Sequence, residues 1–217
     1  MSSKLKNSIT FKWSDSNIEL LPLRAAFIKE TKELLISDIH LGKGEYFQSN
    51  GIPLTNLQDH SNFCRIFELV KKIKPAKLFI LGDLFHSKFA ITKELLFDVE
   101  KLSELLNITI ELIEGNHDIG CHVSNIDRSK TKTTSTFIYS HQEIKNKGPN
   151  QLNICGHYHP KVYIKNFKSN LGFRCFAFDN VNNILYLPAF GDLTGGQLCK
   201  RDLKKWAIIS DKFIYPI

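Results

Sequence analysis

Seven side chains that can bind metal ions occur at the ends of five short apolar segments in this 217-residue sequence. They are carboxylates, a carboxamide and imidazoles, and no thiolate belongs to the pattern. Such a mixed set of oxygen and nitrogen ligands suits Mn²⁺, Fe²⁺ or Zn²⁺ and disfavours Ca²⁺ or Mg²⁺ alone. The seven residues are Asp38, His40, Asp83, Asn116, His141, His157 and His159.

The spacing of these residues predicts that they share one site. Asp38-x-His40 and His157-x-His159 would each present two side chains on one side of an extended segment, because strand residues alternate between faces. Asp83 lies in the middle of the chain order, so we expect its carboxylate to bridge two cations. Two cations roughly 3.5–4 Å apart clamp a phosphate and lower the pKa of a shared water. The pattern therefore predicts hydrolysis of phosphate esters.

The segments that lead into these side chains are predicted strands, because short continuous apolar runs are typical of buried strands. In open α/β sheets, ligands bind beyond the carboxyl ends of such strands. The runs are residues 34–37, 77–81, 108–113, 136–139 and 152–155. Helical spacing of apolar residues predicts helices over 59–73 and 92–106, the second capped by Thr92. This alternation indicates parallel βαβ units.

The last third of the sequence lacks helical periodicity. It contains strand-like segments that favour hairpins, at residues 173–178, 184–187, 206–209 and 212–215. Residues 119–134 are polar and aperiodic, and we predict a loop there with a short helix. The whole pattern predicts a mixed α/β sandwich of two sheets.

Composition favours one globular domain over residues 1–217, with 42% hydrophobic and 24% charged residues. The five cysteines are odd in number and form no Cys-x-x-Cys pair, which argues against a disulfide framework or a zinc ribbon. We find no signal-peptide pattern and no apolar run of the ~20 residues that span a bilayer. We therefore expect a cytoplasmic protein without a membrane partner. The net charge of +7 is by itself ordinary for a soluble protein, and it supports a polyanionic partner only together with the predicted phosphate chemistry.

Four motifs together resemble the calcineurin-like metallophosphoesterase family in order and spacing. They are Asp38-x-His40, Gly82-Asp83, Gly115-Asn116-His117-Asp118 and Gly156-His157-x-His159. The resemblance implies an αββα sandwich with two divalent metal ions. It implies that the first ion is held by Asp38, His40, Asp83 and His159, and the second by Asp83, Asn116, His141 and His157. It also implies that His117, oriented by Asp118, stabilises the transition state or protonates the leaving oxygen.

A closer resemblance extends over nearly the whole chain. Ser37 to Lys43, Gly82-Asp83-Leu84-Phe85-His86-Ser87, Gly156 to Pro160 and Leu187 to Gly196 are similar to the bacterial ligase-associated DNA damage response endonucleases. Gly-Asp-Leu-Phe-His also resembles a motif of double-strand-break repair nucleases. These similarities imply a manganese-dependent phosphodiesterase or endonuclease that acts on DNA in repair, with DNA ligase or helicase partners. His141 departs from the expected pattern, because Gln142 follows it.

Several further residues have both a functional and an ordinary interpretation. His86 is a candidate for contact with a ligand or phosphate, or for a helix cap, and Lys43 is a candidate phosphate contact or a solvated lysine. His122 competes with His141 as a ligand, but it follows Asn116 too closely to end another strand. The basic residues of the last third form a possible nucleic-acid track or protect edge strands from aggregation. These are Lys161, Lys165, Lys168, Arg174, Lys200, Arg201, Lys204 and Lys205.

Two alternatives to a DNA enzyme remain open from the sequence. The same site could hydrolyse a small nucleotide, such as a cyclic nucleotide or a dinucleoside polyphosphate. The chain could also be a catalytically silent scaffold for repair proteins, although the full set of ligands argues against this.

Overall fold

The computed structural model of this protein describes residues 7–51, 57–166 and 169–217, and at positions 165, 166, 169 and 170 it describes the backbone only. Two mixed β-sheets pack face to face, with helices flanking the first. The predicted fold class, two mixed sheets with flanking helices, is confirmed. In the described residues, no helix is long and apolar enough to cross a membrane.

The first sheet has seven strands in sequential order. Its first three strands form an antiparallel meander, whereas the fourth to the seventh are parallel. The predicted parallel arrangement is therefore confirmed. The strands are β1 (Ile9–Trp13), β2 (Ser16–Leu21), β3 (Ala25–Ile28), β4 (Glu33–Ile36), β5 (Lys77–Leu81), β6 (Thr109–Ile113) and β7 (Asp127–Ser129).

Among the described residues, three α-helices lie between strands of this sheet, α1 (Lys43–Ser49), α2 (Leu57–Ile73) and α3 (Lys93–Leu106), and a 3₁₀ turn spans Lys88–Ala90. The predicted cap of α3 is confirmed, because the Thr92 hydroxyl accepts a 3.1 Å hydrogen bond from Leu95 N. A residue that satisfies a free helix N–H in this way stabilises the first turn.

In the described residues, the second sheet has nine strands, and it contains both parallel and antiparallel strand pairs. β9, β10 and β13 run parallel, while the hairpins of β11 with β12 and of β15 with β16 are antiparallel. The strands are β8 (Thr131–Thr133), β9 (Phe137–Ser140), β10 (Leu152–Cys155), β11 (Pro160–Asn166), β12 (Ser169–Asp179), β13 (Ile184–Tyr186), β14 (Gln197–Leu198), β15 (Lys204–Ile209) and β16 (Phe213–Pro216).

Strand β4 shows how the sandwich is layered. Its alternate residues Leu34 and Ile36 pack against the helices, while Leu35 belongs to the core between the two sheets. A strand buried on both faces must be apolar throughout. The outer face of the second sheet carries a third cluster, which includes Cys199 and Leu203. In the described part of the chain, the segment that follows β14 packs on this face and no helix does.

For residues 119–134 the predicted loop is confirmed over 119–126, but the predicted short helix was wrong. These residues contain no helix in the structure but two three-residue strands, β7 and β8, each at one edge of a sheet. Strands this short offer too few residues for alternation to be recognised. Val123 and Ile126 nevertheless pack in the helix-side core, so this polar stretch is anchored by two apolar side chains.

Candidate metal centre

Loops at the carboxyl ends of strands from both sheets meet at one site. Asp38 N donates to the Gly82 carbonyl at 3.0 Å, and His40 N to the Asp83 carbonyl at 2.9 Å. These bonds join the loops after β4 and β5. His157 N lies 3.1 Å from each carboxylate oxygen of Asp38, which joins the loop after β10 to them. The topology thus brings distant side chains together, as ligand sites in such sheets require.

The first group of candidate ligands comprises Asp38, His40 and His159, whose ligand atoms lie within 4.8 Å of one another. His159 Nε2 is 3.0 Å from Asp38 Oδ1. Their geometry is not that of a hydrogen bond, and this nitrogen has no other hydrogen-bond partner in the described residues. The same holds for the buried Nδ1 of His40. An unprotonated imidazole nitrogen without a hydrogen-bond partner keeps its electron pair for a cation, and in neutral His40 either Nδ1 or Nε2 is that nitrogen.

The second group comprises Asp83, His141 and His157, with Asn116 beside them. His141 Nδ1 is 3.1 Å from the Leu81 carbonyl oxygen. That oxygen can only accept, so Nδ1 carries the proton and Nε2 keeps its lone pair. Nε2 lies 3.0 Å from both Asn116 Oδ1 and His157 Nδ1, and 3.5 Å from Asp83 Oδ2.

This second group fits a divalent cation. An amide oxygen and a carboxylate oxygen are acceptors, as is the neutral imidazole nitrogen between them. Acceptors this close repel one another unless a proton or a cation lies among them. Two ligand atoms bound at right angles and at ~2.1 Å to one metal ion are about 3 Å apart, which agrees with the 3.0 Å distances around His141 Nε2.

Asp83 lies between the two groups. Its Oδ2 is 3.5 Å from His141 Nε2 on one side and 3.6 Å from His40 Nε2 on the other. Both of these imidazoles are buried. The position is the one that a carboxylate bridging two cations would need.

Burial sets the charge of these groups. It lowers the pKa of His40 to about 3 and also lowers the pKa of His157. Both imidazoles are thus neutral at pH 7, the form in which histidine binds metal. Burial raises the pKa of Asp83.

Five candidate ligands have a left-handed backbone, with φ of 54° at Asp38, 53° at His40, 52° at Asp83, 61° at His157 and 47° at His159. The predicted reason for their placement was therefore wrong: these residues do not alternate along a strand, but follow the ends of the strands in strained turns. Each such turn costs about 1–2 kcal/mol for a residue with a Cβ. Asp38 and His40 fall in one group, whereas His157 and His159 fall in different ones.

Two glycines leave room for the ligands. A Cβ at Gly156 would lie 2.4 Å from Asp38 Oδ2, and a Cβ at Gly82 would lie 2.1 Å from His141 Nδ1. Gly82 also has φ of +82°, which residues with a Cβ rarely adopt. Because the glycines before Asp83 and His157 have no side chain, the candidate ligands can occupy the space beside them.

The remaining predicted functional groups lie beside His40. His117, His86 and His40 form a third group within 4.8 Å, and His117 Nε2 is 3.9 Å from Asp83 Oδ2. The His117 and His86 rings stack, with centroids 5.8 Å apart and planes 15° from parallel. Burial, followed by the charge of the nearby Lys43, lowers the pKa of His86 to about 4. His117 is 37% exposed, so it can reach a substrate.

Asp118 has a different position from the one expected. Its fully buried carboxylate accepts hydrogen bonds from the backbone N–H groups of Asp83 at 2.7 Å, Gly115 at 2.9 Å and Phe85 at 3.2 Å. These bonds tie the loop after β6 to the loop after β5. The described contacts thus give Asp118 a role in positioning Asp83, rather than in orienting the His117 ring.

The segment that contains Phe190 and Gly191 holds the backbone of the first group through main-chain hydrogen bonds. Phe190 N donates to the Ser37 carbonyl at 2.8 Å, and Gly191 N to the Asp38 carbonyl at 3.1 Å. A Cβ at Gly191 would lie 2.0 Å from the Ile39 carbonyl oxygen. The backbone that carries Asp38 is therefore held by close main-chain contact.

Charged side chains hold that segment in turn. Arg24 and Arg65 both donate to the Phe190 carbonyl, at 2.8 and 2.9 Å, and both pair with Asp192 at 2.7 Å. Arg24 also pairs with Asp211. Sequence reasoning missed these residues, because no local pattern distinguishes a buried arginine from a solvated one. The resemblance over residues 187–196 was the available signal.

Arg174 completes this arginine cluster, which we define as Arg24, Arg65 and Arg174. Its Nη2 donates to the carbonyls of residues 191, 192 and 194, at 2.9–3.1 Å. The interpretation of Arg174 as part of a basic track or a solvated edge was wrong, because these donors are already engaged. Lys200, Arg201 and Lys204 are exposed, while Lys168 and the side chain of Lys165 lie outside the described residues.

His122, the competing ligand candidate, is exposed and belongs to none of the three groups.

A model of the calcineurin-like phosphoesterase family matches residues 32–212. The chain belongs to the calcineurin-like phosphoesterase family. This calcineurin-like phosphoesterase is thereby a metal-dependent hydrolase of phosphate esters.

Solved structures include a chain with the same fold. The crystal structure of Pseudomonas putida nuclease MPE superposes with a TM-score of 0.79 at 22% sequence identity, over 97% of this chain and 100% of that chain. The comparison with curated proteins gives no significant match. The calcineurin-like phosphoesterase described here thus shares its fold with a nuclease across its length.

Proposed function

We propose that this protein is a phosphodiesterase, and specifically an endonuclease, that cleaves DNA with the help of two divalent cations. The observation that carries the proposal is the convergence of acceptor atoms on both sides of Asp83, 3.5 and 3.6 Å from its Oδ2. A phosphoesterase with two such sites can treat a diester as its substrate, because it needs no serine or cysteine nucleophile.

Each side chain has a defined part in this proposal. A first cation would be held by Asp38, His40 and His159 and a second by Asn116, His141 and His157, with the Asp83 carboxylate available to both. When bound, the cations neutralise the phosphate charge and supply an activated water. Mn²⁺ is our first choice of metal, with Fe²⁺ or Zn²⁺ as alternatives, because nitrogen and oxygen ligands are mixed.

His117 acts on the substrate rather than on the cations. Its exposed ring lies on the His40 side of Asp83, where it can donate a proton to the departing oxygen or a hydrogen bond to the phosphate. His86 stacks on it, and in this proposal His86 and the half-buried Lys43 contact a phosphate oxygen. Asp118 supports the reaction indirectly, through the backbone of Asp83.

The choice of DNA rests on charge and on similarity. The fold is shared with a nuclease, and the net charge of +7 attracts polyanions. The sequence motifs resemble ligase-associated DNA damage response endonucleases. A cytoplasmic role in DNA repair beside a ligase or helicase belongs to this proposal.

An activity panel tests it directly. The purified protein, loaded in turn with Mn²⁺, Zn²⁺, Fe²⁺ and Mg²⁺, is assayed on a phosphomonoester, a phosphodiester, small nucleotides and single- and double-stranded DNA. We expect diester and DNA cleavage, strongest with Mn²⁺. Inertness toward every diester and every form of DNA would end the proposal.

A small nucleotide is the alternative substrate, and salt separates the two. A DNA enzyme that contacts several phosphates loses affinity steeply as salt rises, because binding releases counterions. The KM for DNA should therefore rise sharply between about 50 and 200 mM salt, whereas the KM for a small nucleotide should change little. Metal analysis addresses the silent scaffold, which predicts a chain that does not retain cations.

A further inference from the structure

A cavity of about 610 Å³ opens beside the second group of ligands. Gly156 and His157 line it, and so does Gln142, directly after His141. The described lining residues include none of the His40, His86 and His117 group. The cavity therefore adjoins the metal centre on the side away from the proposed proton donor.

The walls of the cavity suit a flat, uncharged group with polar edges. The rings of Tyr158 and Tyr186 lie 5.0 Å apart on one wall. Their hydroxyls are already bonded: Tyr158 to the Leu198 carbonyl, and Tyr186 to the Glu143 carboxylate. They thus offer ring surface to a ligand. The exposed amides of Gln142 and Gln197 can each donate and accept a hydrogen bond.

The charges around the cavity argue against a second phosphate within it. Two lysines, Lys145 and Lys200, face three carboxylates, those of Glu143, Asp179 and Asp202. The lining is thus slightly acidic on a chain whose net charge is +7. A second phosphate inside the cavity would meet repulsion, whereas the base and sugar of a nucleoside would not. The volume lies within the range of ordinary small-molecule sites.

We propose that this cavity binds the nucleoside that keeps the phosphate when the diester is cleaved. The proposal rests on the phosphodiesterase function argued above and adds a subsite to it. The departing group lies toward His117, and the retained nucleoside lies toward His157, with its base against the tyrosine rings and within reach of the two glutamine amides. The subsite makes a nucleotide diester a better substrate than a simple diester with the same leaving group.

Two synthetic diesters test this subsite, because both release p-nitrophenolate and differ only in the retained group. One is thymidine 5′-(p-nitrophenyl phosphate) and the other is methyl p-nitrophenyl phosphate. We expect the Mn²⁺-loaded enzyme to favour the thymidine ester about tenfold or more in kcat/KM, the value of one or two good hydrogen bonds. The advantage should reside in KM.

The double variant Gln142→Ala/Gln197→Ala should lose most of that preference and leave methyl-ester kinetics unchanged. Asn146→Ala is the matched control, because Asn146 is an exposed amide of the same loop that does not line the cavity. Equal kcat/KM for both esters in the wild type, or an unchanged preference in the double variant, would overturn the subsite while leaving the phosphodiesterase function intact.

Binding provides a readout that does not need turnover. Calorimetric titration of the Mn²⁺-loaded protein should show thymidine 5′-monophosphate binding about tenfold more tightly than methyl phosphate, with the difference lost in the double variant. If neither ester is hydrolysed, the proposed function fails, and this titration still decides the subsite. Equal affinity for the two phosphates would refute it.

Discussion

At the scale of single residues, the candidate metal centre consists of side chains whose orientation is fixed by hydrogen bonds to their neighbours. His141 is the clearest case: its Nδ1 proton is committed to the Leu81 carbonyl, so its Nε2 must face Asn116 and His157. Second contacts of this kind fix the tautomer of a metal-binding histidine. The sequence predicted His141 as a metal ligand, but it could not identify the carbonyl that orients the ring.

We predict that His117→Ala keeps its metal content and loses kcat by about two or more orders of magnitude, because a group that acts only in the transition state contributes mainly to kcat. Metal analysis and steady-state kinetics on a diester measure the two effects. His122→Ala is the control, because His122 is exposed and lies in none of the ligand groups. A kcat within threefold of wild type, as a rough threshold, would remove His117 from the mechanism.

Gly156→Ala should abolish tight metal binding. The new Cβ would lie 2.4 Å from Asp38 Oδ2, a distance that forces the carboxylate or the loop to move. Gly195→Ala is the matched control, because no atom lies within 4 Å of a Cβ built there. Calorimetric titration with Mn²⁺ provides the measurement. Equal Mn²⁺ affinity in the two variants would show that the Asp38 loop can shift without loss of metal binding.

At the scale of elements, the strand ends and the loops that follow them were largely predictable. The neighbouring strands that pack beside them were not. β4, β5, β6, β9 and β10 were found because buried strands are apolar and end in distinctive polar residues. The meander β1–β3 was not predicted, in part because the buried Glu19 interrupts its apolar run. That carboxylate is paired with Lys29 at 2.6 Å and accepts from Ser8 and Thr10. Such pairing depends on contacts that a single sequence does not display.

The arginine cluster leads to a prediction about the segment that holds Asp38. Arg65→Met should weaken Mn²⁺ binding and lower the free energy of unfolding by about 1–3 kcal/mol, because it leaves the Phe190 carbonyl and Asp192 short of donors. Arg201→Met, at an exposed arginine, is the control. Metal titration and urea unfolding measure both effects. Unchanged Mn²⁺ affinity in Arg65→Met would show that the arginine cluster does not contribute to metal binding.

Helices α1 and α2 meet through a carboxylate that predicts a pH dependence. The Gly42 N–H donates to Asp59 Oδ2 at 2.8 Å, yet burial raises the pKa of Asp59 from 3.8 to about 6. The folded state thus holds this proton more tightly than the unfolded state does. Its contribution to stability is present at low pH and is lost as pH rises from about 4 to about 6.

Asp59→Asn should remove this pH dependence, because the amide stays neutral and can still accept from Gly42. We expect the variant to unfold at a higher urea concentration than the wild type at pH 7.5, and the difference to narrow at pH 4.5. A difference that widens toward acid would show that the Asp59 carboxylate is stabilising and that the raised pKa is wrong.

At the scale of the whole molecule, the two sheets meet at the metal centre as well as in their shared core. His157 N contacts Asp38 across them, so the cations would join loops of both. We predict that saturating Mn²⁺ stabilises the fold by about 3 kcal/mol at 100 times Kd and that a chelator reverses this. Thermal unfolding of wild type and Asp83→Ala measures it. A wild-type midpoint insensitive to Mn²⁺ would contradict the prediction.

The fold class and the candidate ligands that the structure brings together could be predicted because both depend on local patterns repeated at several strand ends. The layering of the second sheet could not, since its outer face is covered by Cys199 and Leu203 from an irregular segment. The cavity beside His157 is likewise assembled from residues of several separate segments. Their proximity depends on strand pairing over long distances, for which one sequence contains no periodic signal.

The left-handed turns at positions 38, 40, 83, 157 and 159 have a consequence for protein engineering. Glycine at any of them would relieve about 1–2 kcal/mol of backbone strain, so a search for thermostable variants of the metal-free chain would select against the side chains that we propose as metal ligands. The most stable sequence for this backbone and the most active one are therefore different sequences. Libraries built on this scaffold should hold those five positions constant.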